Sequence, residues 1–222
     1  MPQLGCIADD LTGATDVANM LAKSGMHTEL VVGVPSSPLT NSCDAVVVAL
    51  KSRNIAPAIA RAQSAAAADE LIAAGCRQIY FKYCSTFDST AQGNIGPVAD
   101  MLIEKTSASL VVVCPAFPAN GRTVYKGYLF VGDIPLNESS MRDHPLTPMR
   151  DSSLVRILAA QTSRRVGLAS LETVRLGPHG LKTRFRQLAD DGCSYVIVDA
   201  IDDADLRIIG KSCADMPLVT GG

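Results

Sequence analysis

The first 25 residues contain the feature that most constrains the fold: a short apolar run leading directly into paired acids and an amphipathic helix. Residues 6–8 are apolar and too few for a helix, so they predict a buried strand. Asp9 and Asp10 follow at once, and apolar residues then recur at helical spacing until Gly25, a helix-ending glycine. In open α/β sheets, ligands bind beyond the carboxyl ends of strands, beside helix N-termini. The stretch therefore predicts a ligand site near Asp9, Asp10 and Thr12, although Asp10 or Thr12 alone would also serve as a helix cap.

Strand–helix alternation continues to residue 114. Apolar runs and helical periodicity predict strands at 28–34, 45–50, 78–82 and 110–114, and helices at 56–74 and 95–106. Such alternation is typical of an α/β fold with a doubly wound, mostly parallel sheet and flanking helices.

The pattern changes between residues 115 and 150, where we expect a hairpin and long-loop insertion. Residues 123–131 alternate around Lys126-Gly127, which predicts a hairpin, and residues 132–148 hold three prolines and no period. Alternation then resumes. The predicted elements are a helix at 151–161 capped by Asp151, strands at 165–170, 195–200 and 217–219, and helices at 178–189 and 203–212.

Composition excludes several classes of partner. The 222 residues carry a net charge of −2 with scattered Lys and Arg, so we expect no nucleic-acid partner. No apolar run approaches the roughly 20 residues of a membrane span, and no leader precedes the first strand, so we expect no membrane partner.

The seven cysteines are odd in number and form no Cys-x-x-Cys pair. Reduced thiols in a cytoplasmic protein are therefore expected.

Several motifs together resemble the four-carbon acid sugar kinases. The resemblance covers essentially all 222 residues and is strongest to the branch that acts on 3-oxo-tetronates. The motifs are Asp9-Asp10-Leu11-Thr12-Gly13, the loop 82–94, Asn120-Gly121-Arg122-Thr123, and the segments 127–133, 137–139 and 144–149.

The resemblance implies a two-domain, cytoplasmic, ATP-dependent kinase that phosphorylates the terminal hydroxyl of a four-carbon keto sugar acid. Residues 1–222 resemble its acid-sugar-binding N-terminal domain, and Thr220-Gly221-Gly222 resembles the border with the nucleotide-binding domain. ATP and Mg²⁺ would then be bound through that absent C-terminal domain, and this chain alone would be inactive. The expected partners are the sugar acid and a second copy in a homodimer.

Phosphoryl transfer to a hydroxyl needs a proton acceptor and a positioned substrate. Asp9 or Asp10 would accept the proton, with the other carboxylate near Mg²⁺; the sequence leaves open which does which. Arg53 and Lys82 would pair with the substrate carboxylate, or else form surface ion pairs.

The remaining predicted binding residues lie in loops after strands. For Asp88 and Ser89 the alternative is an Asx-turn or a helix cap, and for Arg122 it is a solvated loop arginine. The predicted substrate-binding residues are Thr12, Gly13, Arg53, Lys82, Ser85, Asp88, Ser89, Asn94, Asn120, Gly121 and Arg122.

Two other functions compete with the kinase interpretation. A haloacid-dehalogenase-like phosphatase also places an aspartate nucleophile after the first strand, but its pattern is Asp-x-Asp and the two acids here are adjacent. A stand-alone module that binds small acids without chemistry is the second. No Gly-x-x-x-x-Gly-Lys-Ser/Thr or Gly-x-Gly-x-x-Gly motif is present, which agrees with a nucleotide site outside this chain.

Overall fold

The computed structural model describes residues 2–39 and 42–222 and confirms the α/β class, with a fully parallel eight-stranded sheet. A second, three-stranded antiparallel sheet lies in the insertion. The strands are β1 (Leu4–Ala8), β2 (Thr28–Val32), β3 (Ala45–Ala49), β4 (Gln78–Lys82), β5 (Val111–Cys114), β6 (Arg122–Tyr125), β7 (Tyr128–Val131), β8 (Ile134–Pro135), β9 (Arg165–Ala169), β10 (Cys193–Val198) and β11 (Leu218–Gly221). The α-helices are α1 (Leu11–Lys23), α2 (Pro57–Ala73), α3 (Ile95–Thr106), α4 (Leu154–Ala159), α5 (Leu171–Val174), α6 (Gly177–Asp190) and α7 (Asp203–Cys213).

The strand order of the large sheet is β2-β3-β1-β4-β11-β5-β10-β9. Strand β1 pairs with β3 on one side and β4 on the other, in a register that places Ala8 beside Ala49 and Lys82. The carboxyl ends of these three strands therefore lie at one level. The last strand of the chain, β11, is inserted between β4 and β5 in the middle of the sheet.

Helices cover the two faces of the large sheet and pack there against different residues. Strand β3 (Ala-Val-Val-Val-Ala) is buried at every position, as expected for an interior parallel strand. Alternate residues of β1, β3 and β4, among them Cys6 and Tyr80, pack with apolar residues of α1. Successive side chains of a strand point to opposite faces of the sheet. Ile79 and Phe81, on either side of Tyr80, therefore point to the other face, into the larger hydrophobic cluster that includes residues of α2 and α3.

The predicted hairpin in the insertion is confirmed. Lys126 and Gly127 both adopt positive φ, at 52° and 75°, as the two central residues of a hairpin turn of this hand require. The sequence did not predict β8, which pairs with β7 as a third strand. Backbone hydrogen bonds between Val124 and Ala200, at 2.8 and 3.0 Å, attach the small sheet to the segment after β10.

Some predicted boundaries were wrong. The helix predicted at 151–161 is shorter, and its cap is Ser153, whose hydroxyl accepts from the N–H of Arg156. The carboxylate of Asp151 instead accepts from the N–H of Ser153 and pairs with the Arg156 side chain. The strand predicted at 28–34 ends at Val32.

Two expectations from composition can be compared with the structure. None of the seven cysteines, all of which lie within the described residues, forms a disulfide, and burial raises the pKa of several, that of Cys6 to about 12. Within residues 2–39 and 42–222, no helix combines the length and the apolar character needed to cross a membrane.

Candidate functional site

The site is built by the register of three parallel strands. Since β1, β3 and β4 end together, the residues that follow them meet at one edge of the sheet. The N–H groups of Ser52 and Arg53 donate to the carbonyl oxygen of Asp9, at 2.9 and 3.2 Å, which fixes the turn after β3 against the end of β1. Asp9, Arg53 and Lys82, which end or follow these three strands, therefore lie close together.

Asp9 and Arg53 form a bidentate, largely buried ion pair. Nε of Arg53 lies 3.0 Å from Oδ2 of Asp9, and Nη2 lies 2.6 Å from Oδ1. Burial raises the pKa of the Asp9 carboxyl, while the hydrogen bonds and charge of Arg53 oppose that rise. With both oxygens bonded to Arg53, Asp9 holds the guanidinium in place.

Asp10 differs from Asp9 because it faces open space. Its Oδ1 accepts from the N–H of Gly13 at 2.9 Å, so it caps α1, and Nη2 of Arg53 lies 2.9 Å from the same oxygen. The side chain is 30% exposed, against 7% for Asp9. The capping alternative is thus correct for Asp10, and the carboxylate still borders the groove described below.

Lys82 lies opposite the first turn of α1. Its ammonium donates to the carbonyl of Tyr83 at 2.8 Å, and within the described part of the chain it forms no ion pair. A methyl group at Gly13 would lie 2.7 Å from Oδ1 of Asp10 and 3.3 Å from Nζ of Lys82. Glycine at this position therefore allows the cap and the ammonium to approach each other at a helix N-terminus, where anions are stabilised.

These groups line one end of a groove of about 660 Å³ between α1 and α7. The polar end also includes Thr12, Ser85 and Asn120, and the rest of the groove is mainly apolar. Of the predicted site residues, the groove brings together Asp10, Thr12, Gly13, Arg53, Lys82, Ser85 and Asn120.

Three predicted binding residues of the β4–α3 loop make internal contacts instead. Asp88 accepts from the hydroxyl of Thr86 at 2.6 Å, and the buried Ser89 accepts from the amide of Gln161 at 2.9 Å. None of the three predicted residues lines the groove.

Asn94, the third of them, supports the site from behind. Its buried Nδ2 lies 2.7, 3.1 and 2.9 Å from the carbonyl oxygens of Ser52, Arg53 and Ile55. It therefore fixes the loop that carries Arg53. Direct contact of Asp88, Ser89 and Asn94 with a substrate stays a prediction.

Gly121 and Arg122 follow Asn120 but do not line the groove. Gly121 has a φ of +67° and ends a short 3₁₀ turn, Pro118–Asn120, and the Arg122 guanidinium donates to the carbonyl of Asn120. Their proposed roles in binding substrate or phosphate also stay predictions.

Sequence reasoning did not include Ala116 and Phe117, which border the polar end of the groove. Both follow β5, so the rule about strand carboxyl ends was a usable signal. Cys84 also borders the groove, but burial raises the pKa of its thiol, which does not favour a nucleophile.

The side chains that could act as metal ligands give little support for a metal site in this part of the molecule. Residues 2–39 and 42–222 contain no group of three or more His, Cys, Asp and Glu side chains placed to hold a metal ion. Both oxygens of Asp9 are bonded to Arg53, which leaves Asp10 as one carboxylate open to the groove. The same pairing argues against Asp9 as the nucleophile of a phosphatase.

Comparison with known families gives a match over nearly the whole chain. The family model described as "Sugar-binding N-terminal domain" matches residues 4–222. A protein of Burkholderia multivorans named 3-oxo-tetronate kinase is 57% identical over 221 residues, which cover 100% of this chain and 52% of that protein. A protein of the same name from Escherichia coli K12 is 46% identical over 222 residues, covering 100% of this chain and 57% of that protein.

Solved structures agree with this match. A crystal structure from Salmonella typhimurium LT2, described as a tRNA synthase, is 47% identical with a TM-score of 0.98, covering 100% of this chain and 53% of that one. A domain-swapped dimer from Bordetella bronchiseptica, with bound citrate, is 31% identical with a TM-score of 0.83, covering 100% of this chain and 55% of that one. The chain thus spans about half the length of the relatives it matches.

Proposed function

Because the chain belongs to the family of sugar-binding N-terminal domains, we propose that it is the acid-sugar-binding half of an ATP-dependent kinase. The proposed reaction converts a 3-oxo-tetronate to its 4-phosphate. The kinase names of the relatives support this reaction class. The observation that carries the proposal is the convergence of Asp10, Arg53 and Lys82 at the N-terminus of α1, in the polar end of the groove.

The cationic side of the site suits a carboxylate. Lys82 has no ion-pair partner among the described residues, and Nη1 of Arg53 makes no hydrogen bond to any of them. The first turn of α1 adds the partial positive charge of a helix N-terminus. These groups would hold the carboxylate of the sugar acid, and Ser85 and Asn120 at the rim would contact its oxygen substituents.

The structure suggests different roles for the two acids that the sequence could not separate. Asp10 borders the groove and would orient the terminal hydroxyl and accept its proton. Asp9 is buried behind it and would act as a positioning residue through Arg53. Asn94 would also position Arg53 without contacting the substrate, because it fixes the loop that carries Arg53.

ATP would be bound by the second half of the longer protein and would supply the phosphoryl group. At the polar end of the groove, Asp10 is the described carboxylate that would serve as a Mg²⁺ ligand, since Mg²⁺ in such sites takes one or two carboxylates with phosphates and waters. The homodimer expected from the sequence also stays a proposal.

The test is the turnover of Asp10→Asn in a two-domain protein, made by joining this chain to the second half of the Burkholderia multivorans relative. Loss of a general base lowers kcat by about 10²–10⁴-fold. Asparagine still caps the helix, so the fold should persist. Asp190→Asn, at an exposed aspartate of α6 outside the groove, is the control and should keep most of the activity. Turnover of Asp10→Asn at the wild-type rate would remove the proposed role.

A further inference from the structure

The groove has an apolar part that the sugar acid does not explain. A volume of about 660 Å³ holds a drug-sized ligand, much more than a four-carbon acid needs. Beyond the polar end, the floor is formed by Tyr80 of β4 and Val219 of β11. The walls are formed by Val17, Met20 and Leu21 of α1 and by Leu206, Gly210 and Cys213 of α7.

Burial along the two floor strands shows that one layer is incomplete. In β4, Ile79 and Phe81 are each 2% exposed on the side of α2 and α3, whereas Gln78, Tyr80 and Lys82 on the groove side are only half-buried. In β11, Leu218, Thr220 and Gly221 are buried, and Val219 is half-buried. Strand β5, beside β11, is buried at every position.

This arrangement is unusual because β4 and β11 are central strands. Parallel sheets are covered by helices on both faces, since their strands are apolar on both sides. Here α1 packs on β1, β3 and part of β4, and α7 forms the opposite wall of the groove, so the groove side of the two central strands lies open between the two helices. Gly210 of α7 faces this space, and a Cβ added there would meet no atom within 4 Å.

We propose that the groove is occupied by a helix from the second half of the longer protein, formed by the segment that follows β11. This inference rests on the proposed function, in which such a half exists. The matched relatives extend about as far again as this chain, and the matching family is an N-terminal domain.

The position of β11 supports this occupant over others. The strand delivers Gly222 to the polar end of the same groove, where that residue borders it. The backbone there passes tightly between two loops, since a Cβ on Gly222 would lie 2.5 Å from the carbonyl oxygen of Pro115 and 2.7 Å from Cα of Ser85. A helix that begins at this point and runs antiparallel to β11, as the helix of a strand–helix unit does, would lie along the two central strands. An apolar helix face would then complete the layer.

The proposed helix would also change the acid site. Its N-terminus would lie at the polar end, near Arg53 and Lys82, and would add a second helix N-terminus beside the substrate. The half that binds the nucleotide would thus strengthen acid binding at a site whose charged groups, Asp10, Arg53 and Lys82, belong to this chain.

Thiol labelling at the groove tests the occupant. Met20 is 57% exposed at the groove wall, and Leu176 is 73% exposed and does not line the groove. We would label Met20→Cys and Leu176→Cys with a maleimide, in the 222-residue chain and in the two-domain protein, and subtract the labelling of the native thiols. Met20→Cys should react readily in the chain and about tenfold or more slowly in the two-domain protein, because reaction there requires local opening. Leu176→Cys should react equally in both.

Equal labelling of Met20→Cys in the two proteins would overturn the inference, and so would protection that appears in the 222-residue chain and depends on its concentration, since a second copy would then be the occupant. Acid binding by the 222-residue chain, measured separately, tests the proposed function, so the two failures are distinguishable.

Filling the groove with a larger side chain provides a second, independent test of the inference. Gly210→Leu should leave the 222-residue chain folded, because the added atoms enter open space, and should lower the melting temperature and activity of the two-domain protein. Ala204→Leu, on an exposed position of α7 outside the groove, is the matched control and should change neither. A two-domain Gly210→Leu protein with wild-type stability and activity would contradict the inference.

Discussion

Two buried aspartates follow parallel strands of the same sheet, yet they serve different purposes. Asp9 follows β1 and is 5% exposed, and Asp199 follows β10 and is fully buried. The partner of Asp9 is the guanidinium of Arg53, which borders the groove. The partners of Asp199 are three backbone N–H groups, those of Lys126, Gly127 and Leu171, at 2.6, 2.8 and 3.0 Å.

The difference shows what the partner of a buried carboxylate reveals about its role. Asp199 ties the turn of the β6–β7 hairpin to the start of α5, and its bonds satisfy groups that would otherwise be buried without acceptors. Asp9 instead orients a cation that still has donors to offer a ligand. We therefore expect changes at Asp199 to affect stability, and changes around Asp9 to affect both stability and binding.

The largest stability effect is expected for Asp199→Ala. It leaves three buried or half-buried N–H groups without an acceptor, and each such group costs about 1–3 kcal/mol, so we expect a loss of roughly 4 kcal/mol. Urea unfolding measures the loss, with the exposed Asp190→Ala as control. A loss below about 1 kcal/mol would mean that water replaces the carboxylate and that Asp199 is no anchor.

A smaller loss is expected for Arg53→Met, about 2–3 kcal/mol. Removing one partner of a buried pair leaves the other charge uncompensated, but Arg53 is 18% exposed, so solvent reduces the cost. Arg61→Met, on an exposed part of α2, is the control. The double variant Asp9→Asn with Arg53→Met should recover much of the stability and still fail to bind the acid. Binding by the double variant would place the carboxylate contact elsewhere.

The pH dependence of stability should reflect Asp199. Burial raises the pKa of its carboxyl in the folded protein, although the three N–H groups oppose that rise. The folded state then holds a proton more tightly than the unfolded state. The stabilisation that this tighter proton binding at Asp199 contributes is fully present below the unfolded pKa, about 3.9. It is lost as pH rises through the folded pKa. Subtracting the stability–pH curve of Asp199→Ala from that of the wild type should show this decline; a difference that grows with pH would contradict it.

The smallest effect, with the opposite sign, is expected at Asp151. The hydrogen bond from Arg156 lowers the pKa of this partly exposed carboxyl. Its stabilisation is present above the unfolded pKa of about 3.9 and is lost as pH falls through the lower folded value. Asp151→Asn should therefore destabilise slightly at neutral pH and not at all at strongly acidic pH. Melting curves at several pH values measure this, and an equal loss at every pH would show that the charge is irrelevant.

Sequence reasoning predicted those features of the fold and the site that depend on the local pattern of residues. Buried strands such as β3, the hairpin turn at Lys126-Gly127 and the placement of Asp9 and Asp10 at a strand end all follow from short-range chemistry. The position of β11 between β4 and β5 did not follow, because strand order is set by packing between distant segments.

The same limit applies to the candidate site. Arg53 could be placed at the carboxyl edge, but its pairing with Asp9 spans 44 positions and depends on the register of β1 and β3. Asn94 resembles a substrate ligand in the sequence because it follows a polar loop, and only the fold shows its contact with the loop of Arg53. Asp199 gave no signal that separates it from Asp9, since both are aspartates directly after a buried strand.

The most direct test is calorimetric titration of the 222-residue chain with a 3-oxo-tetronate. We predict saturable binding at one site, weakened about 10–100-fold in Lys82→Met, because a charge-assisted hydrogen bond contributes about 1.5–3 kcal/mol. The control Lys182→Met, at an exposed lysine that pairs with Asp215, should bind like the wild type. Absence of binding by the wild type, or unchanged affinity in Lys82→Met, would contradict the assignment of the polar end of the groove as the acid site.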